Sequence, residues 1–139
     1  MAKLLNSSQT KWMYFCNNES ATAKLQVAVP IGSEASHFQI KSAAATVVTV
    51  VLKEAGHAGT LPVLGTRKDC AIELGCDAGN APFIIKTFMK WIAAAGTDAI
   101  DPSNQRFLEF TGKNASVSSI PAMFDGKIKH VKVDFNAAA

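Results

Sequence analysis

The chain has 139 residues, enough for one domain with its own hydrophobic core and too few for two domains of ordinary size. Hydrophobic residues make up 48% and charged residues only 18%. The surface must therefore be covered by small polar residues, or be partly hidden by other subunits. A net charge of +3 without a long basic run argues against a dedicated duplex-DNA-binding protein. We treat residues 1–139 as a single predicted domain.

The N-terminal half predicts a β-hairpin followed by further strands. Residues 21–29 alternate between apolar and polar positions. Residues 11–16 place Trp12, Tyr14 and Cys16 on one side and Met13 and Phe15 on the other, and the turn residues 17–20 lie between the two segments. A short strand is predicted at 38–41. Residues 46–53 are β-branched and apolar on both faces, which indicates a central strand. Residues 55–68 contain three glycines and a proline and are predicted to form a long loop.

The stretch from Asn80 to Gly96 predicts the main helix, at about residues 81–95. Asn80 can cap it, Pro82 suits its first turn, and Gly96 can end it. At about 100° per residue its apolar side chains cover roughly 160°, more than the stripe of about 100° that a surface helix needs. This excess predicts a helix that is either sunk deep against a sheet or shared with a neighbouring chain, and we favour the shared helix. The expected interface residues are Ile84, Phe88, Trp91 and Ile92.

Strands are also predicted at 69–76, before the helix, and at 106–111, 116–124 and 127–135 after it. A loop is expected at 97–105. Asp125-Gly126 is a strong two-residue hairpin signal between the last two strands. The predicted fold class is α+β and mostly β. We expect an antiparallel β-sandwich or a partly open barrel of about seven strands, with one main amphipathic helix.

The three cysteines are predicted to be buried free thiols. Cys70 and Cys76 fall on one face of a predicted strand, roughly 20 Å apart at 3.3 Å per residue, which is beyond the reach of a disulfide. With Cys16 they make an odd number, which favours a reducing compartment. No His or Cys pair has the spacing of metal ligands, so neither a metal nor another cofactor is predicted.

No pattern in the chain specifies a reaction, and we predict no catalytic residues. His37, His57 and His130 are scattered and have no acidic or thiol partner at a recognisable spacing. A Gly-x-Ser-x-Gly nucleophile elbow is missing from the sequence. An enzyme of another type would need a deep pocket that brings His57 or His130 to a carboxylate.

The leading hypothesis is a self-assembling structural protein, either a capsid coat or a tail-tube subunit of a bacteriophage. The N-terminal hairpin, and the strand that runs directly into a helix over residues 67–96, resemble coat proteins of single-stranded RNA phages across about a third of the chain. Here about forty residues with a further predicted hairpin follow the helix. The expected partners are copies of the same chain, and the expected function is to build a regular assembly through repeated contacts between subunits.

Viral nucleic acid is a further expected partner. Charge alone suggests that an exposed sheet face with Lys24, Lys41, Lys129 and Lys132 contacts the genome, RNA included. The expected location is the virion or the bacterial cytoplasm. No secretory signal follows Met1, and no apolar run is long enough to cross a bilayer, so no membrane partner is expected.

An alternative function is binding of single-stranded nucleic acid. Trp12, Tyr14 and Phe15 offer stacking surfaces, and the order of strands, helix and strands is OB-like in outline. The two hypotheses differ in their expected assembly state and in the salt dependence of oligonucleotide binding.

Overall fold

A computed structural model describes residues 11–31, 38–57, 67–93 and 106–137. Within these ranges the chain forms eight strands, one α-helix and one 3-10 turn. The strands are β1 (Lys11–Asn17), β2 (Leu25–Ile31), β3 (Phe38–Ala44), β4 (Val47–His57), β5 (Arg67–Cys76), β6 (Phe107–Gly112), β7 (Val117–Ser119) and β8 (Ile128–Ala137). The helix, α1, is Ala81–Ala93, and the 3-10 turn is Ala122–Phe124.

The strands form two sheets of four, which confirms the predicted mostly β, α+β class. Sheet A has the order β2-β1-β6-β7, and sheet B has the order β3-β4-β5-β8. The eight strands are close to the predicted number of about seven. The predicted loop at 55–68 is too long, because β4 continues to His57 and β5 begins at Arg67. The predicted loop at 97–105 lies outside the described residues.

Sheet A contains the predicted N-terminal hairpin and one pairing that the prediction missed. β1 and β2 pair antiparallel, from Lys11 opposite Ile31 to Asn17 opposite Leu25. On its other side β1 pairs with β6 in parallel, with Trp12 beside Phe107. Parallel neighbours need a long crossover, and here β2, the sheet B strands β3 to β5, and α1 lie between the two strands in the chain.

Sheet B has β4 and β5 at its centre, as the apolar character of β4 predicted. Val48 and Val50 face the core with no exposed surface, while Val51 on the opposite face is also buried. β5 pairs antiparallel with both β4 and β8. Both central strands therefore have a hydrogen-bonded neighbour along each edge.

The predicted C-terminal hairpin is wrong, although the turn itself forms. Asp125 and Gly126 have φ angles of 53° and 68°, the left-handed conformation of a tight turn. The turn follows the 3-10 segment Ala122–Phe124 and not a strand. β7 pairs with β6, whereas β8 pairs with β5 in the other sheet. Only three residues of the predicted strand 116–124 are extended, too few to form a hairpin arm.

An aromatic cluster holds α1 against sheet A. The ring of Phe88 lies 5.5 Å from that of Phe110 in β6 and 4.9 Å from that of Phe124 in the 3-10 turn. Phe110 also stacks on Phe15 of β1 at 4.9 Å. All four side chains are fully buried. The helix therefore lies on the core side of sheet A, and Phe88 joins it both to that sheet and to the segment that enters β8.

The described cysteines are buried and free, as predicted. Cys70, Ile72 and Leu74 face the core from one side of β5. Burial raises the pKa of the Cys70 thiol to about 11, and the negative charge of Asp134 adds to the effect. Burial also raises the pKa of Cys76.

The buried Cys70 thiol predicts a loss of stability at alkaline pH. Its pKa in the folded state is about 11, above the ordinary value of 9.0, so folding favours the protonated thiol. This contribution is complete below pH 9 and is lost as the pH rises through 11, by up to about 3 kcal/mol. We expect urea midpoints measured between pH 8 and 11 to fall less steeply for Cys70→Ala than for the natural protein. Equal slopes would contradict this assignment.

Candidate assembly surfaces

Three of the four predicted interface residues lie inside the subunit. Ile84, Phe88 and Trp91 are fully buried by the chain's own sheets, so they have no exposed surface with which to contact a neighbour. Ile92 is half-buried at the edge of the same core. The prediction is corrected for the first three, because the inner faces of both sheets cover that side of α1.

The apolar arc of the helix is nevertheless wider than its buried arc. At about 100° per residue, the buried side chains of α1, from Ala81 to Trp91, span only about 80°. The neighbouring arc carries Pro82, Ile85, Met89 and Ile92, which we call the helix seam. Met89 is 60% exposed, and Ile85 and Ile92 are only partly buried. The excess apolar arc therefore exists and includes the predicted Ile92, but it lies to one side of Ile84, Phe88 and Trp91.

A buried lysine holds the C-terminal end of α1 in place. The Lys11 ammonium donates a hydrogen bond to the backbone carbonyl of Trp91 and lies 5.2 Å from the centre of its ring. A cation at this position interacts favourably with the carbonyl end of the helix. Burial lowers the pKa of Lys11. The contact ties β1 to α1 and thereby fixes how the helix is rotated against the sheets.

A cleft of about 590 Å³ lies beside the helix seam, where the β3–β4 turn meets the start of α1. The Ser42 hydroxyl lies 2.8 Å from the carbonyl oxygens of both Ala44 and Val47, which holds this turn in shape. Most of the lining is small or apolar. The lining residues are Ser42, Ala43, Ala44, Ala45, Gly79, Ala81, Pro82 and Ile85.

A second apolar surface lies on the outer face of sheet A. There Trp12 of β1 lies between Pro30 of β2 and Phe107 of β6 in the strand register. Trp12 is 44% exposed and Phe107 is 57% exposed. Ala28, Tyr14 and Glu109 form the next row. We call these six residues the sheet A face.

The polar side chains of the sheet A face, Tyr14 and Glu109, have hydrogen-bond partners just beside it. The Tyr14 hydroxyl donates a hydrogen bond to the side chain of Gln26, and the Thr111 hydroxyl donates to Glu109. Burial, followed by the effects of Cys16 and Glu109, raises the pKa of Tyr14 to about 12. Glu109 is the one charged side chain among the six, so a contact that covers Trp12, Pro30 and Phe107 and leaves Glu109 at its rim avoids the cost of burying an unpaired charge.

The outer face of sheet B is different because it carries many charges. Lys41, Thr49, Glu73 and Lys132 form one row across its four strands. Glu73 lies 2.7 Å from His130 and 3.8 Å from Lys132. The His130 ring covers Gly75 of the neighbouring strand, and any larger residue at that position would overlap the ring. We call this charged surface the sheet B face.

The four lysines predicted to contact nucleic acid are exposed but do not share one sheet. Lys41 and Lys132 lie on the sheet B face, roughly 14 Å apart if strands are spaced by about 4.8 Å. Lys129 lies where the pairing of β5 and β8 is irregular. Lys24 precedes β2 and therefore borders sheet A. The prediction of one common face is therefore wrong. Lys41 and Lys132 share a face, whereas Lys24 and Lys129 lie apart from it.

The described residues bring one histidine to a carboxylate, but not inside a pocket. His130 meets Glu73 on an open sheet face, and the cleft beside α1 has no acidic or histidine side chain in its lining. Across the described ranges, no three His, Cys, Asp or Glu side chains lie close enough together to hold a metal ion. His37 and the side chain of His57 lie outside the described part of the structure.

In the portion of the chain that the structure describes, no helix has the length and apolar character needed to cross a membrane. Comparison of the chain with protein-family models, curated proteins and solved structures found no significant match.

Sequence reasoning missed the row formed by Trp12, Pro30 and Phe107. The alternation of residues 11–16 correctly placed Trp12 on the face opposite Met13, but a single strand does not reveal what lies beside it. The parallel pairing with β6 brings Phe107 into contact range from about 95 residues along the chain. No local pattern in the sequence predicts that pairing.

Proposed function

We propose that this protein is a self-assembling structural subunit, a bacteriophage capsid coat or tail-tube protein that acts in the virion by packing against copies of itself. The observation that supports the proposal is the presence of two separate uncovered apolar surfaces. One is the helix seam, and the other is the sheet A face.

The two surfaces cannot be covered by one small contact. α1 lies on the core side of sheet A, because Phe88 stacks on the inward-facing Phe110. The sheet A face points away from that core. A subunit with a single self-complementary surface forms a closed dimer, whereas two different surfaces allow rings, tubes or shells. Two uncovered surfaces therefore favour an extended assembly.

The apolar area supports a useful binding energy. A Trp or Phe side chain buries about 150–250 Å² when it is fully covered. Trp12 and Phe107 are each about half exposed, so covering them removes roughly 100 Å² of apolar surface apiece. At 25 cal/mol per Å² this amounts to roughly 2 kcal/mol for each side chain. Both residues lie on short, regular strands, so little chain entropy is lost on binding.

The sheet B face fits a different role in the same subunit. Its lysines, Lys41 and Lys132, lie on a surface that would be costly to bury because of its charge. We propose that this surface stays hydrated and that the two lysines contact the genome in a coat, with Lys24 and Lys129 contributing less. The contact would be electrostatic and independent of sequence.

Light scattering after size-exclusion chromatography, followed by negative-stain electron microscopy, tests the proposed function. The purified full chain should form rings, tubes or shells of regular size as its concentration rises. A protein that remains monodisperse and monomeric at high concentration would contradict the proposal.

The alternative function, binding of single-stranded nucleic acid, is favoured by one observation. Trp12, Tyr14 and Phe107 are aromatic neighbours on an open sheet, a surface on which bases can stack. Phe15, the third stacking surface that the sequence suggested, is instead fully buried. However, Glu109 lies beside Tyr14 and would repel the phosphate backbone. Titration of a labelled oligonucleotide at several salt concentrations separates the two functions. Tight binding that depends steeply on salt, by a small oligomer, would support the alternative.

A further inference from the structure

The helix seam carries a protruding side chain and a hollow on the same surface. Met89 is the most exposed of the large apolar side chains in the described residues, at 60%. The cleft beside Ile85 lies four residues nearer the start of α1, about 6 Å along the helix axis. A surface with both features can bind a copy of itself when the copy is turned around.

We propose that the helix seam packs antiparallel against the helix seam of a second copy, about a two-fold axis that passes between Ile85 and Met89. This inference rests on the proposed function and names the partner for one of its two surfaces. In this arrangement Met89 of each copy enters the cleft beside Ile85 of the other. Pro82 of each copy then lies opposite Ile92 of the other, so the same two-fold rotation pairs the residues at both ends of the seam.

The spacing of the seam suits helix–helix packing. Pro82, Ile85, Met89 and Ile92 follow one another at intervals of three, four and three residues. This is the spacing of a coiled-coil seam, in which side chains of one helix fit between those of the next. The small residues of the cleft, among them Ala43, Ala44 and Gly79, permit a close approach.

The charges at the two ends of the seam favour the antiparallel direction. Asp77 is exposed just before α1, whereas Lys86 and Lys90 are exposed along it, and the helix itself contains no acidic residue. An antiparallel pair brings the Asp77 end of each helix towards the Lys90 end of its partner. A parallel pair would place like charges together at both ends. The two copies of Lys86 lie close to each other in either direction, because Lys86 is one residue from the two-fold position, so they do not decide between the two. The two helix dipoles also oppose one another in the antiparallel arrangement.

The length of the seam indicates that this contact works together with the other surface. α1 has 13 residues and is therefore about 20 Å long. A contact of this length buries less than the roughly 800 Å² per partner that a stable dimer needs. The seam thus contributes one of several contacts in a particle, where the sheet A face supplies another.

Disulfide trapping with two single-residue variants tests the pairing. Ile85→Cys and Met89→Cys proteins are purified separately, mixed in equal amounts at the concentration where particles form, and oxidised briefly. The three natural cysteines are buried and do not compete. We expect a disulfide between positions 85 and 89 of different chains in the mixture, at least fivefold above either variant alone. Gel electrophoresis gives the yield, and mass spectrometry of the linked peptide identifies the two positions.

Lys90→Cys is the matched control. It lies one residue from Met89 on the same helix but about 100° further around the axis, and it is exposed. Cross-linking of Lys90→Cys with Ile85→Cys should stay at background.

Three results would overturn the pairing. These are efficient self-cross-linking of Met89→Cys, equal yields with the Lys90→Cys control, and no linked 85–89 peptide in the mixture. The pairing and the proposed function can fail separately. An 85–89 disulfide without particles in the microscope would support the pairing and contradict extended assembly. Particles without that disulfide would support extended assembly and contradict the pairing.

Discussion

Replacing Trp12 and Phe107 together by lysine is expected to prevent particle formation while leaving the subunit folded. Both side chains are about half exposed on the outer face of sheet A. Removing roughly 2 kcal/mol of apolar burial for each of them weakens every contact on that face by about 4 kcal/mol. This corresponds to about a thousandfold rise in the protein concentration needed for assembly. The added positive charges make the loss larger.

Light scattering over a concentration series measures that threshold, and circular dichroism checks that the fold is retained. Gln39→Lys with Ala115→Lys is the matched control, because both positions are exposed, lie outside the two apolar surfaces and add the same charge. The control should assemble at close to the natural concentration. A double variant that assembles like the control would show that the sheet A face is not an interface.

Phe88→Ala is expected to cause a large loss of stability. Its ring contacts those of Phe110 and Phe124, so it connects the helix to two other parts of the core. Truncating a fully buried Phe removes its burial energy and leaves a cavity, and typically costs about 3–5 kcal/mol. Urea denaturation, performed below the assembly concentration, should show a correspondingly lower midpoint.

Phe83→Ala is the matched control on the same helix, since Phe83 has the same chemistry but is 40% exposed. We expect it to cost about 1 kcal/mol, close to the range for surface substitutions. Phe88→Leu, which removes less volume, should fall between the two. Equal losses at positions 83 and 88 would mean that the aromatic cluster does not anchor the helix.

Local pattern predicted most of the individual elements. The alternation of residues 11–16 predicted β1 and placed Met13 on the face opposite Trp12, and the cap and proline of the helix placed its start. These signals are short-ranged, because strand alternation and helix capping depend on residues within a few positions of one another. The same reasoning correctly placed Cys70 and Cys76 on the core side of β5.

The candidate surfaces were only half predictable. The width of the apolar arc on α1 indicated an uncovered side, but the arc alone could not say which 80° the subunit buries. That choice depends on Phe110 and Phe124 from distant segments and on Lys11, which holds the end of the helix. The exposed apolar residues of α1 consequently lie further around the helix axis than most of the predicted interface residues, on the side that carries Met89.

The amino-acid sequence by itself determined most of the strands, the helix and the excess of apolar surface, because each depends on a pattern of neighbouring residues. The tertiary structure alone decided which strands pair, as the Asp125-Gly126 turn illustrates by leading from one sheet to the other. It also decided that Trp12 meets Phe107. The physical reason is that backbone hydrogen bonds can join any two strands. The partner is selected by the burial of whole sheet faces, a property of the complete chain.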